Sequence, residues 1–241
     1  VDNTTITYLL DELDSDAQRI QQTLEKIVSG EETELGGRYT MDESSFGEDR
    51  WGILPKSILD VKQTIQGAGT CLGCNYRTGQ GLMTGRNEAF TVTPEEIDEW
   101  NLEDEVLKSL VKNGDLRKYE YNPRGLNVLY FEGKDIDDYP NAKEYLSQYR
   151  DVLDDRAKDS VEWYEYLNPI NKDIFEDEER EKIICPFTAT ENRFYLDQIG
   201  LYNDGGDIEG IVPEADETPA NEYLVCLLNS TLLEFFHLNH A

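Results

Sequence analysis

A glycine-rich segment, GQGLMTGRNEAF at Gly79–Phe90, has residue types suited to binding. It matches neither standard phosphate loop. In a Walker A loop a Lys and a Ser or Thr follow the last glycine, whereas Arg86 follows Gly85 here. A dinucleotide loop needs a third glycine at the position that Thr84 occupies, and a helix after it. The segment is therefore not a nucleotide phosphate loop of either kind.

Two interpretations of the glycine-rich segment remain. It can be a turn that needs a positive φ at Gly81 and Gly85, which glycine adopts without steric cost. It can also be a loop, with a strand after it, that presents Arg86 and Asn87 to a polar partner. Arginine pairs bidentately with guanine and asparagine with adenine, so the second interpretation points to DNA.

The densest basic and aromatic cluster follows in NGDLRKYEYNPRG. It contains Arg117, Lys118 and Arg124 around Tyr119 and Tyr121. Basic residues are scarce, with 22 Lys and Arg against 51 Asp and Glu. Cations retained in so acidic a chain suggest a binding role, and ion pairs within the core are the alternative.

The same region allows a second kind of chemistry. Asp115 precedes a strand that ends in Glu132-Gly133-Lys134. An acidic residue followed two positions later by lysine can hold Mg²⁺ and position a water molecule, as in metal-dependent nucleases. A charged strand end is the simpler interpretation of these residues.

Cysteine spacing gives little support for a metal. The relevant residues are Cys71, Cys74, Cys185, Cys226, His237 and His240. A structural zinc site needs a second close pair of ligands at matching spacing, and Cys185 and Cys226 are isolated. We therefore expect no metal and four buried thiols in a reducing cytoplasm.

The net charge of −29 comes from acidic residues spread along the whole chain. Aromatic residues make up 10% of the chain, and the acids alternate with apolar positions, which indicates a folded protein with an acidic surface. This pattern is typical of proteins from salt-accumulating halophiles. At about 1 M salt the Debye length is about 3 Å, so net charge would not exclude DNA.

The N-terminus shows no signal peptide, and no window approaches the roughly 18 apolar residues of a membrane span. We expect a cytoplasmic protein that does not interact with membranes. The chain begins at Val1 without an initiator Met, which suggests a piece of a larger protein.

Periodicity divides the chain into residues 1–66 and 67–241. Apolar spacing predicts a helix over Tyr8–Val28, an exposed loop over Glu31–Asp49 and a short helix over Lys56–Gln66. These form a helical connector. In the second part, capping signals and apolar spacing predict a capped helix after Thr93, a helix from near Pro140 and one apolar C-terminal helix.

Several short strands separate the helices of the second part, at GLNVLYFEG, KIICPFTA and RFYLDQIG. The stretch TCLGCNYRTGQGLMTGRNEAFTVT predicts a strand, a glycine loop and a second strand. Strands and helices alternate irregularly. The expected class is α+β, with mixed short-stranded sheets and flanking helices.

The order of landmarks resembles one family. The landmarks are GQGLMTGRNEAF, LVKNGDLRKYEY, LNVLYFEG, YPNAKEYLSQYRDVLDDR, EKIICPFTATENRFYLDQIGLYN and EYLVCLLNSTLLEFFH. Their order over Gly67–His240 is similar to that of the TaqI-like C-terminal specificity domain. That domain belongs to adenine-specific DNA methyltransferases of restriction-modification enzymes. The Cys71–Cys74 motif has no role in that pattern.

The resemblance implies that this chain is a target-recognition module for double-stranded DNA. The catalytic methyltransferase domain, which binds S-adenosylmethionine, would lie upstream as its partner, with or without an endonuclease activity. This chain would hold no catalytic residue and no cofactor, and it would act as a monomer. By position, the expected DNA contacts are Thr84, Arg86, Asn87, Arg117, Lys118 and Tyr119.

Two functions of other classes stay open. One is a metal-dependent nuclease that uses Asp115, Glu132 and Lys134. The other is an acidic, non-catalytic interaction protein such as a DNA mimic. A mimic would arrange its acids in rows that match phosphate spacing, whereas the acids here are dispersed.

Overall fold

The computed structural model describes residues 3–9, 17–31, 36–42, 56–157, 161–166, 172–175, 177–178, 180–203, 205–214 and 218–239. Two compact units are present. The first comprises Val1–Thr70 with Phe235–Ala241, and the second comprises Cys71–Glu234. No helix among the described residues is long and apolar enough to cross a membrane.

The strands are β1 (Asn3–Leu9), β2 (Gly36–Asp42), β3 (Tyr76–Gln80), β4 (Thr91–Val92), β5 (Leu107–Ser109), β6 (Leu116–Arg117), β7 (Glu120–Tyr121), β8 (Asn127–Leu129), β9 (Lys182–Pro186), β10 (Tyr195–Asp197) and β11 (Ile208–Pro213). The helices are α1 (Ala17–Ser29), α2 (Lys56–Ala68), α3 (Asn87–Phe90), α4 (Pro94–Trp100), α5 (Pro140–Ser147), α6 (Arg150–Ala157), α7 (Lys172–Phe175), α8 (Asn221–Leu228) and α9 (Thr231–Leu238). Short 3-10 turns lie between them. The α+β class is confirmed.

The first unit contains the antiparallel pair β1 and β2, in which Asn3 lies opposite Asp42 and Leu9 opposite Gly36. The helix prediction was wrong for Tyr8 and Leu9, which lie in β1, and the predicted loop contains β2. The β-branched residues of NTTITYL favour an extended strand once a partner strand is available. The prediction of α2 is confirmed, whereas residues 10–16 and 43–55 lie outside the described residues.

The second unit contains a four-stranded antiparallel sheet with the order β10-β9-β11-β3. Gly210 in β11 lies opposite Gly79 on one side and Ile184 on the other. The helix α8 packs its buried Leu224 and Val225 on this sheet. The sequence analysis did not predict β11, which supplies a central strand.

The predicted C-terminal helix is divided into α8 and α9. The side-chain amide of Asn229, which follows α8, pairs with the backbone N–H and C=O of Phe194, as the backbone of a neighbouring strand would. Its Oδ1 accepts a hydrogen bond from Phe194 N at 2.9 Å, and its Nδ2 donates to Phe194 O at 2.8 Å. These two bonds tie the end of α8 to the segment before β10.

A smaller sheet has the order β4-β8-β5 and is flanked by α4 and α5. The capping prediction for α4 is confirmed. Thr93 Oγ1 accepts from Glu96 N at 3.2 Å, and Glu96 Oε2 accepts from Thr93 N at 2.8 Å. The predicted helix from Pro140 is also confirmed, as α5 followed by α6.

The largest core cluster surrounds this smaller sheet and includes Phe90, Phe131, Tyr145 and Tyr166. Phe90 meets Tyr166 edge-on, with ring centroids 5.2 Å apart. Phe90 closes the glycine-rich segment, so that segment is anchored in the core at its C-terminal end.

Candidate nucleic-acid interface

Three connecting segments leave the four-stranded sheet at one end. Ile208, at the start of β11, lies opposite Pro186 at the end of β9. The next residue, Glu209, lies opposite Gln80 at the end of β3. The segments that emerge there are 81–86, 187–194 and 203–207. We call this part of the second unit the loop end.

Close packing between Gly81 and Asn203 joins two of these segments. A Cβ atom at Gly81 would lie 2.4 Å from Asn203 Nδ2, so only glycine fits. Leu82 N donates to Asn203 O at 3.0 Å, and Asn203 Nδ2 donates to Ile208 O at 3.0 Å. The expectation of positive φ is confirmed at Gly85, where φ is 76°. It was wrong at Gly81, where close backbone approach is the reason for glycine.

Thr84 organises the turn that presents Arg86. Its side chain is fully buried. Its hydroxyl donates to Asn87 Oδ1 at 2.5 Å and accepts from Arg86 N at 3.1 Å. The buried Thr84 hydroxyl therefore stabilises the turn through these two hydrogen bonds. A short helix, α3, follows this turn, and the expected strand comes after it as β4.

Arg86 and Asn87 lie on the surface of this turn. The guanidinium of Arg86 is about half exposed, and its Nη1 lies 3.8 Å from Glu88 Oε1. Asn87 Nδ2 faces the glycine pair of the neighbouring segment, since a Cβ atom at Gly205 would lie 3.4 Å from it. The exposed ion pair is weak in water, so Arg86 can exchange Glu88 for another partner.

Arg156, in α6, stabilises the same turn through its guanidinium group. Its Nη1 donates to Thr84 O, and its Nη2 donates to Trp163 O and Glu165 O. Its guanidinium also lies over the ring of Phe90, 5.0 Å from the centroid. Burial lowers the pKa of Arg156, and the nearby charge of Arg86 lowers it further. The sequence analysis missed Arg156, although a retained cation in an acidic chain was a usable signal.

The second predicted group lies at the β6–β7 turn. Arg117 is exposed, and its Nη1 donates to Gly114 O at 3.1 Å and to Leu116 O at 2.7 Å. Lys118 Nζ donates to Glu234 Oε2 at 2.8 Å, a hydrogen bond that raises the pKa of Lys118. Tyr119 is 51% exposed and has a φ of 64°. A tyrosine in the left-handed region is strained, which makes it a functional candidate.

Asn113 connects the segment before the β6–β7 turn to the loop end through hydrogen bonds. Its Nδ2 donates to Thr188 O at 3.0 Å, and its N donates to Asp207 Oδ2 at 3.2 Å. Arg193 Nη2 donates to Asn113 Oδ1 at 2.9 Å. Thr188, Arg193 and Asp207 belong to the segments of the loop end, so both predicted groups are held by it although they are distant in sequence.

Asp115 has a structural role in the same turn. Its side chain is buried, its Oδ2 accepts from Lys112 N at 2.9 Å, and its Oδ1 accepts from Arg124 Nε. This hydrogen bond raises the pKa of Arg124. Both oxygens of the carboxylate are therefore occupied by the protein, which leaves Asp115 poorly suited to hold Mg²⁺.

The other two predicted nuclease residues follow β8. Glu132 is exposed, and Lys134 Nζ donates to the carbonyl oxygen of Glu105. Burial lowers the pKa of Lys134. Among the described residues, no three His, Cys, Asp or Glu side chains are grouped so that they could hold a metal ion. The nuclease hypothesis has no support.

The expectation of four buried thiols was wrong. Cys71, Cys74 and Cys226 are exposed, and Cys185 is partly buried. The first pair lies at a 3-10 turn before β3, outside the sheet that would have covered it. Burial raises the pKa of Cys185 to about 12.

Comparisons with known proteins bear on the family resemblance. Residues 128–241 match the model of the TaqI-like C-terminal specificity domain family. The resemblance to that family is therefore confirmed over these residues. The match includes Arg156 and the segments 187–194 and 203–207, whereas the glycine-rich segment and the β6–β7 turn precede it.

One curated relative is the type II methyltransferase M.BstVI of Geobacillus stearothermophilus, with 22% identity over 216 residues. The alignment covers 84% of this chain and 36% of the relative, so the chain spans about a third of that protein. A solved structure of the type IIL restriction-modification enzyme MmeI in complex with DNA is also similar, with a TM-score of 0.44 and 16% identity. That match covers 64% of this chain and 20% of MmeI.

Proposed function

We propose that this chain recognises a specific sequence in double-stranded DNA for an adenine-specific DNA methyltransferase of a restriction-modification system. The observation that carries this proposal is the match of residues 128–241 to the TaqI-like specificity domain. In such proteins base contacts supply sequence information, whereas phosphate contacts set position.

The loop end is the proposed DNA surface. Arg86 and Arg117 are exposed there and carry forked donors that fit the O6 and N7 atoms of guanine. Asn87, the residue after Arg86, presents its side-chain amide on the same turn. Lys118 is paired with Glu234 at 2.8 Å and is proposed to contact phosphate. The next residue, Tyr119, is proposed to supply an exposed aromatic surface.

Methyl transfer is proposed for the whole protein, since this chain matches only part of a methyltransferase. S-adenosylmethionine would bind to a catalytic domain upstream of the residues described above. The chain would act as a monomer beside that domain, in the cytoplasm.

The acidic surface is proposed to be an adaptation to a concentrated salt solution. With a net charge of −29, the chain repels DNA at low ionic strength. Screening at high ionic strength removes most of that repulsion. DNA binding would then depend on hydrogen bonds, shape and apolar contact more than on net charge.

The test is a selection of bound duplexes from a random-sequence library, followed by mapping of methylated adenines made by the intact protein. We expect one consensus sequence in both experiments. Arg86→Ala and Arg117→Ala should each lower sequence-specific methylation while S-adenosylmethionine binding stays unchanged. Arg150→Ala, which removes an exposed arginine paired with Asp154 on α6, is the control.

Two results would contradict the proposal at different levels. If no sequence is enriched at any salt concentration, the recognition function is wrong. If a consensus is found but both variants keep normal site choice, only the roles of Arg86 and Arg117 are wrong.

A further inference from the structure

The loop end and the adjoining β6–β7 turn expose three large apolar or aromatic side chains. Met83 is 43% exposed, Tyr119 is 51% exposed and Phe187 is 57% exposed. Met83 and Phe187 belong to segments of the loop end, and Tyr119 lies in the β6–β7 turn that Asn113 ties to it. Burying such side chains is normally favourable, so a partner that covers them gains binding free energy.

Phe187 is the most exposed of the three, and hydrogen bonds hold the backbone at this position. It follows β9 directly, and its N donates to Asp207 O at 2.9 Å. The next residue, Thr188, accepts a hydrogen bond from Asn113 Nδ2 at 3.0 Å. The main chain at Phe187 and Thr188 is therefore held by hydrogen bonds, whereas the ring of Phe187 belongs to none of the described core clusters.

Three cations that belong to or contact residues 113–118 are engaged within the protein. Arg193 Nη1 donates to the carbonyl oxygens of Asn113 and Leu116, both at 3.2 Å. Arg124 is paired with Asp115, and Lys118 with Glu234. In the free protein these donors are occupied, so an apolar contact adds to the recognition that Arg86 and Arg117 provide.

A phenylalanine side chain has no hydrogen-bonding atom, so it can distinguish bases only by apolar contact. In the major groove the apolar group that differs among base pairs is the 5-methyl group of thymine. Resting on the proposed DNA-recognition function, we propose that Phe187 is a specificity-determining residue that contacts the methyl group of a thymine in the target sequence.

The experiment uses the intact protein and duplexes selected from a random library, with deoxyuridine replacing each thymine of the consensus in turn. Deoxyuridine pairs as thymine does but lacks the methyl group. At one position this replacement should weaken binding about fourfold, the value of one buried methyl-sized group. The Phe187→Ala variant should bind thymine and deoxyuridine equally there and should lose the thymine preference in a new selection.

Two further variants test whether the effect requires an apolar side chain at position 187. Phe187→Leu keeps an apolar side chain and should retain a thymine preference. Tyr223→Ala removes an aromatic side chain that is 60% exposed in the first turn of α8, and it should behave as the unchanged protein. Because Phe187 is exposed, these variants should unfold at the same temperature as the unchanged protein.

Three outcomes would overturn the inference. If Phe187→Ala keeps the sensitivity to deoxyuridine, another residue contacts the methyl group. If Phe187→Ala weakens binding to thymine and deoxyuridine duplexes by the same factor while the consensus is unchanged, Phe187 contacts the backbone or wedges between base pairs. If the unchanged protein enriches no sequence, the proposed function fails together with this contact.

Discussion

The guanidinium of Arg156 donates a hydrogen bond to the main-chain oxygen of Thr84, and this bond joins α6 to the turn that presents Arg86. Two further carbonyl oxygens, from Trp163 and Glu165, accept from the same side chain. Arg156 thus connects three segments of the second unit through one planar group. Lysine, with a single charged nitrogen, cannot reproduce this geometry.

Substitution of Arg156 by methionine should therefore destabilise the protein. The change leaves the three carbonyl oxygens of Thr84, Trp163 and Glu165 without their donor, and we expect a loss of about 2–3 kcal/mol in the free energy of unfolding. Urea unfolding followed by tryptophan fluorescence measures this loss.

The matched control is Arg150→Met on the same helix. Arg150 makes an exposed ion pair with Asp154 and lies over the ring of Trp163, 4.2 Å from its centroid. These contacts predict a loss of about 1 kcal/mol. Equal losses for the two variants would show that the bond to Thr84 has no special role.

Replacement of Tyr119 by glycine should stabilise the protein and weaken DNA binding. Its φ of 64° is strained for tyrosine and relaxed for glycine. After allowance for the greater chain entropy of glycine in the unfolded state, we expect a gain of about 0.5–1 kcal/mol. Thermal unfolding and duplex binding, measured on the same preparation, check the two effects.

Tyr119→Ala separates these effects, since it removes the ring and keeps a side chain in the left-handed region. It should weaken DNA binding as glycine does, without the gain in stability. Unchanged binding by both variants would remove Tyr119 from the proposed DNA surface.

Thiol reactivity should differ sharply among the four cysteines. Cys71, Cys74 and Cys226 are exposed, whereas burial raises the pKa of Cys185 to about 12. A raised pKa leaves less of the reactive thiolate at pH 8. Maleimide labelling of the native protein at that pH, read by peptide mass spectrometry, should modify the first three and spare Cys185.

Denaturant should then make all four cysteines react, which controls for intrinsic differences between the peptides. Rapid labelling of Cys185 in the native protein would contradict the burial of this thiol. The same experiment tests the exposure of Cys71 and Cys74.

Stability should rise with salt concentration. The 51 acidic residues repel one another at low ionic strength, because only 22 basic residues oppose them. Raising KCl from about 0.1 M to about 1 M shortens the Debye length from about 10 Å to about 3 Å, so the temperature of unfolding should increase. Differential scanning calorimetry measures it.

A sorbitol series of equal osmolality separates charge screening from solvent exclusion. Sorbitol should raise the unfolding temperature less than KCl does. A temperature that falls or stays constant in KCl would contradict an acidic surface adapted to salt.

The amino-acid sequence by itself determined the features that depend on neighbouring residues. Thr93 and Glu96 form the predicted capping box, since both partners lie within one helical turn. The helix that begins at Pro140 and the α+β class follow from apolar spacing in the same way. The order of landmarks was sufficient to indicate the TaqI-like family, which the match over residues 128–241 confirms.

Only the tertiary structure decided which distant residues meet. The order β10-β9-β11-β3 brings the segments 81–86, 187–194 and 203–207 to one end of a sheet, and β11 was not predicted. The tertiary structure also places Asn203 against Gly81 and buries Asp115 beside Arg124. Strand order and burial arise from many weak contacts between residues far apart in sequence, and those contacts leave no local pattern.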